Sequence, residues 1–215
     1  MVKTADIIAV LRILKQQQEK STMLGAFADR KYSPYRILIG TILSARARDE
    51  VTEPVTEALF KRYPTSHSLA HADPKAVQKI IKRIGFYRQK TKSIISTAKD
   101  ICGRYDDKVP GTLEELIQLR GVGRKVANCV LVYAFGKPAI PVDTHVHKLA
   151  NHFGWVKTKT PEQTEVVLMK IVPKRYWQDV NDTLVAHGKS INIKKHPHKG
   201  TALERYCKTC RKRAI

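Results

Sequence analysis

The chain has 215 residues and a mass of 24.4 kDa, enough for one ordinary core or two small ones, and its 42% hydrophobic and 27% charged residues exclude a disordered or fibrous chain. Apolar runs such as Cys129 to Phe135 fall far short of the ~20 residues that cross a bilayer. The basic, periodic start has no small-residue cleavage site, so no span and no signal peptide are expected, and a cytoplasmic, nucleoid-associated protein follows. Forty Lys+Arg against 19 Asp+Glu give a net charge of +21 and a pI near 10.0, the balance of a protein that meets a polyanion, nucleic acid first.

In chain order nearly everything reads as helix. Ile7, Ile8, Leu11, Ile13 and Leu14 make an apolar stripe after a Thr4 cap. Ser33-Pro34 supplies a cap with Pro at the first helical position ahead of YRILIGTILSA, and Asp73-Pro74 repeats that signal ahead of KAVQKIIKRI, which Gly85 stops. Residues 89–104 alternate Lys with Ile and Ala at helical spacing. Pro110-Gly111-Thr112 turns and caps LEELIQL. Gly121-Val122-Gly123 then leads into RKVANCVLVYAFG. Thr144 to Phe153 is a short amphipathic helix, Thr160-Pro161 caps EQTEVVLMKIV, and a last helix is expected over 174–187. No run alternates with period two for long, so the class is all-α. The tail from Lys189 to Ile215 has nine Lys+Arg, one acid and few apolar residues, and reads as a basic extension rather than core. Cys102 and Cys129, on apolar helical patterns, read as core.

The segment LIQLRGVGRKVANCVLVYAFGKPAIPVDTH carries the chemistry. Glycines at 121 and 123 let the backbone turn tightly and come close to a ligand. The amides of the helix that starts near Arg124 then point outward with the positive end of its dipole, which holds a phosphate without reading sequence. A G-x-G also serves packing in many helical hairpins, but Arg124-Lys125 in so basic a chain favours a phosphate clamp. Lys125 has two readings. It is one more phosphate-contacting cation, or a nucleophile whose ammonium form is disfavoured by burial, a neighbouring cation and the helix N-terminus, and which forms a Schiff base. Asp143 follows by 18 residues, after a helix and a proline-bearing turn that can fold the chain back. It reads as an N-cap, as a catalytic carboxylate, or as both.

These residues resemble the helix-hairpin-helix, Gly/Pro-Asp superfamily of DNA glycosylases, and endonuclease III most closely. LRGVGRKVANCVL resembles the family's L-P-G-V-G-R-K-T-A-N-V-V-L, and PAIPVDTHVHKLANHFG its V-D-T-H segment. LIGTILSARARDE resembles its L-L-S-A-Q-A-T-D block, and IIKRIGFYRQKTKSI its I-K-x-I-G-L-Y-x-x-K-A-x-x-I block. The resemblance spans about residues 30–188 in order. It implies a two-lobed all-α fold: residues 25–136 as a central lobe with the hairpin, and 1–24 plus 137–215 as a second, with double-stranded DNA across the cleft. It implies Lys125 as the nucleophile at the sugar C1′ and Asp143 as its carboxylate partner. Gly121, Val122, Gly123 and Arg124 would hold phosphate, and the hairpin carbonyls a monovalent cation. Ser44, Arg46, Arg48, Phe86 and His145 would be further DNA contacts, Arg46 filling the gap left by an extruded base and Phe86 wedging against the opposite strand. The plain alternatives for those two are a surface arginine and a core aromatic.

The resemblance therefore implies a monomeric base-excision enzyme, a DNA glycosylase with AP lyase activity on damaged, oxidised pyrimidines. Two departures bear on it. Arg46-Ala47-Arg48 replaces the family's Q-A-T, which leaves open a G·U or G·T mismatch glycosylase; a non-catalytic DNA-binding module is the alternative of another class. The family also ends in C-x6-C-x2-C-x5-C holding a [4Fe–4S] cluster, whereas this tail has Cys207 and Cys210 alone, so no cluster and no other cofactor are expected. His196, His198, Cys207 and Cys210 are chemically suited to zinc, against a plain reading as a cluster-loop remnant that touches DNA backbone or packs by ordinary contacts.

Overall fold

The computed structural model describes residues 2–18, 22–195, 197–207 and 210. Among them are twelve α-helices and no strand: α1 (Thr4–Gln17), α2 (Met23–Asp29), α3 (Pro34–Ser44), α4 (Asp49–Arg62), α5 (Ser66–Ala70), α6 (Pro74–Ile81), α7 (Tyr87–Arg104), α8 (Leu113–Leu116), α9 (Arg124–Phe135), α10 (Thr144–Phe153), α11 (Pro161–Ile171) and α12 (Trp177–Ser190). Single 3-10 turns lie at Lys174–Tyr176, Ile193–Lys195 and Glu204–Tyr206.

The helix starts follow local chemistry. The Ser33 hydroxyl accepts from the Arg36 amide, the Asp73 carboxylate from the Lys75 and Ala76 amides, and the Thr112 and Thr160 hydroxyls from Glu115 and Gln163. Each bond satisfies an amide that the first helical turn leaves without a partner. Thr4 departs from expectation. The cap position of α1 is Lys3, and the Thr4 hydroxyl instead donates to the Ile171 carbonyl at the end of α11.

The chain divides into two units, Met23–Lys137 and Met1–Thr22 with Pro138–Ile215. In the 23–137 unit α3 is the centre. Tyr35 and every residue from Ile37 to Leu43 are buried, because α4, α7 and α9 all pack on that helix. The terminal unit buries Ile7, Val10, Leu11 and Leu14 of α1 with Val146, Leu149 and Phe153 of α10 and Val180 and Leu184 of α12. The tail joins this core: Leu203, Cys207 and Cys210 are buried in the same cluster. That corrects the expectation of an unpacked extension. Sparse apolar residues are enough when the few present all point inward. Cys102 is likewise not core; it is half-buried, and its thiol donates to Asp107 Oδ1 at 3.0 Å.

Within the 23–137 unit, a buried lysine ties α7 to the end of α3. Lys90 Nζ donates to the Leu43 carbonyl at 2.7 Å, and burial pushes its ammonium down to about 8. A lysine whose folded value lies below its unfolded one binds its proton less well when folded. Its charged form therefore costs stability at neutral pH, and the cost fades between about 8 and the unfolded value near 10.4. Denaturant unfolding of wild type and Lys90→Met at pH 7.5 and 10 should show wild type gaining on the variant with rising pH, by at most about 3 kcal/mol.

Candidate functional site

One face of α7 organises the 23–137 unit's site residues. Phe86 precedes the helix as its N-cap, and Lys90, Ser93 and Thr97 follow at helical spacing. Lys90 reaches the last turn of α3, just before the loop Ala45–Arg48. Ser93 and Thr97 meet the hairpin between α8 and α9. The Thr97 hydroxyl donates to the Arg120 carbonyl at 2.6 Å. Gly121 sits at φ +80°, where an added Cβ would lie 2.7 Å from Ser93 Cβ. Val122 is buried, and its amide donates to the Leu119 carbonyl at 3.1 Å. The hairpin is thus pinned from below, and Gly123 and Arg124 are exposed at its crest.

Gly123 is the N-cap of α9 and offers no side-chain cap. The first amides of α9 are therefore not satisfied by a cap side chain, and the positive end of the helix dipole lies at this exposed crest. Lys125 stands at the second position of the helix, half-buried. The Gly121-Val122-Gly123 turn and the helix start at Arg124 lie where the sequence places them.

Arg46 and Phe86 share an unusual backbone. Both have positive φ, +54° and +58°, a region that side-chain-bearing residues enter at a cost of ~1–3 kcal/mol. Both side chains are exposed, Phe86 at 66% the most exposed large hydrophobic residue among those described. The alternative of a core aromatic is therefore excluded. Arg48 is exposed at the N-cap of α4, and the Ser44 hydroxyl donates to the Thr41 carbonyl.

In the terminal unit Asp143 caps α10. Its Oδ1 accepts from the His145 amide at 2.8 Å and the Val146 amide at 2.9 Å. One oxygen does the capping, and Oδ2 is not engaged by it. The His145 ring packs on Gly188 of α12, where an added Cβ would meet its Nδ1 at 2.6 Å.

The same unit holds a second constellation. His152, His198, Cys207 and Cys210 are all buried, and one donor atom from each lies within 4.8 Å of the others, a group that could hold a metal ion. The expectation of a cofactor-free chain rested on a tail with too few ligands, and that premise is corrected: α10 contributes His152. His196, named with zinc in mind, lies outside the described residues. Nothing local marked His152, because its tail partners are more than 40 residues away in sequence and only tertiary packing brings them together. Burial, with the neighbouring histidines, holds His198 down to about 4 and also lowers His187, so both rings are neutral at pH 7.

Helix α8, the Gly121-Val122-Gly123 turn and helix α9 with Lys125 in its first turn make a helix-hairpin-helix motif. The family model described as HhH-GPD superfamily base excision DNA repair protein matches residues 39–174, and the chain belongs to that family. Among characterised relatives, Endonuclease III of Thermotoga maritima is 45% identical over 168 residues, covering 78% of this chain and 79% of that one. Endonuclease III of Synechocystis is 36% identical over 200 residues, covering 88% and 91%. A solved non-covalent Endonuclease III–DNA complex superposes with a TM-score of 0.87 at 30% identity over 99% of both chains. A trapped covalent Endonuclease III–DNA intermediate gives 0.85 at 29% identity over the whole of both.

The two hairpin glycines should separate folding from ligand approach. Gly121→Ala meets both a left-handed φ and Ser93, and should lower stability by at least ~1–2 kcal/mol. Gly123 has nothing within 4 Å of its added Cβ and no positive φ, so Gly123→Ala should leave Tm nearly unchanged. On the function proposed below, in which a phosphate approaches the crest, binding to an abasic-site duplex should nonetheless weaken several-fold.

Proposed function

We propose that this chain is a bifunctional base-excision enzyme, removing damaged pyrimidines from duplex DNA and cutting the strand by β-elimination through a Lys125 Schiff base. The observation that carries the reading is the exposed hairpin crest that opens α9 with Lys125 in its first turn. Family membership and similarity to endonuclease III support it, as does the charge of +21.

The chemistry follows from those groups. Duplex stacking hides the sugar C1′, so the nucleotide must leave the helix, and damaged bases leave at less cost. Hairpin amides at Gly123, Arg124 and Lys125 take a backbone phosphate and fix the strand. Exposed Arg46 and Phe86, each held in a strained backbone, suit the gap and the opposite strand. The Lys125 amine, in its neutral form, attacks C1′ as the bond to the base breaks, and the base departs with the bonding electrons. Proton loss from nitrogen and ring opening give the protonated imine. The imine acidifies the C2′ proton; its removal expels the 3′ phosphate oxygen, and water then releases the enzyme. Asp143, with Oδ2 outside its cap, stabilises positive charge on the sugar or moves protons. A monovalent cation at the hairpin carbonyls belongs to this reading. The Leu119 and Arg120 carbonyls each accept one bond already, leaving a lone pair apiece. Arg46 and Arg48 bring donors that make G·U and G·T mismatches the second substrates to try.

Single-turnover assays on duplexes carrying thymine glycol, an abasic site, G·U or G·T test this. Lys125→Ala should lose strand scission on the abasic duplex while keeping its Tm. Asp143→Asn preserves a good cap and should slow base release ~10²–10⁴-fold. Full scission by Lys125→Ala would overturn the mechanism. Base release from the mismatches alone would keep the enzyme and replace the damaged-pyrimidine reading.

A further inference from the structure

The resembling family's four-iron cluster is held by four cysteine thiolates, each on a different iron. The buried group here offers two thiols and two imidazoles, with donors within 4.8 Å of one another. That span suits a single ion and leaves no room for a cube of four irons, so these residues do not fit the cluster.

They do fit a tetrahedron. Bonds of about 2.3 Å to sulfur and about 2.0 Å to nitrogen put neighbouring zinc ligands about 3.3–3.8 Å apart. Cys207 Sγ lies 3.2 Å and Cys210 Sγ 3.7 Å from His152 Nε2, and Cys210 Sγ lies 3.9 Å from His198 Nδ1. The second shell is also in place. The Cys210 amide approaches Cys207 Sγ at 3.3 Å, as a donor to a thiolate would. The His198 ring is held through its other nitrogen, Nε2, 2.9 Å from His187 Nε2. A proton on that Nε2 leaves Nδ1 with a lone pair for the metal. Phe153 stacks on the same ring.

We propose that His152, His198, Cys207 and Cys210 bind one zinc ion as a closed, structural site that fastens the tail to α10. Binding sends the two thiol protons to solvent, so two thiolates neutralise the dication and a site of zero net charge is buried. With four protein ligands no position remains open for water, which makes the metal structural rather than catalytic. It closes a loop from His152 to Cys207, 55 residues apart, and holds a tail that brings only a few apolar side chains to the core.

The test is metal analysis of the full chain, purified without a histidine tag, with visible spectra alongside. The expected result is colourless protein with one zinc per chain. Cys207→Ser and Cys210→Ser should lose that zinc and lower Tm, while Cys102→Ser keeps both. If the variants do not fold, cobalt(II) replacing zinc in the wild-type chain should still give the intense visible bands of a tetrahedral thiolate site. Brown protein with several irons per chain would overturn the proposal. So would protein with no bound metal whose Tm ignores a chelator and whose cobalt spectrum is that of the hydrated ion.

Discussion

The 23–137 unit depends on one constraint, the grip of α7 on the hairpin. Thr97 holds the Arg120 carbonyl, and Ser93 lies so close to Gly121 that only a residue without a Cβ fits. One turn toward the N-terminus, Lys90 holds the end of α3, and one turn further the helix begins at Phe86. A single helix face thereby sets the hairpin crest, the Arg46 loop and the exposed Phe86. One continuous helix spans these points, so the three exposed features keep a fixed spacing. The strain at Arg46 and Phe86 is tolerated because both flanking helices are well anchored.

The terminal unit carries a different division of labour. Its helix α10 begins at a cap that uses one oxygen of Asp143 and carries in its last turn His152, a member of the buried histidine–cysteine group. A cap fixes the carboxylate in place through two backbone amides. The far end of the same helix is where the tail is attached. The basic charge spread over the chain gives affinity for DNA backbone that falls with salt, whereas the chemistry is confined to a few positions.

Much of this was legible in the sequence because the controlling signals are local. Ser33-Pro34, Asp73-Pro74, Thr112 and Thr160 each start a helix where their side chains predict. Gly-Val-Gly followed by Arg124-Lys125 marked the hairpin because turn chemistry and helix entry occur within five residues. Helix α4 carries no such signal. Its outer face is charged and Pro54 interrupts its pattern, while Thr52, Val55 and Leu59 bury themselves against neighbours far away in sequence. Lys90 passed as one of several lysines on α7, because only its depth sets it apart. The tail hides its packing for the same reason. Average polarity described it correctly, but the inward placement of Leu203, Cys207 and Cys210 against His152 is a tertiary fact that composition does not contain.

On the function proposed above, the lysine in the first turn of α9 becomes covalently bound to DNA. Borohydride reduction of the wild-type protein on an abasic-site duplex, followed by proteolysis and mass mapping of the cross-linked peptide, tests it most directly. One adduct is expected, on the peptide containing Lys125 and at that residue. An adduct on another amine, or none while the protein still binds the duplex, would contradict it.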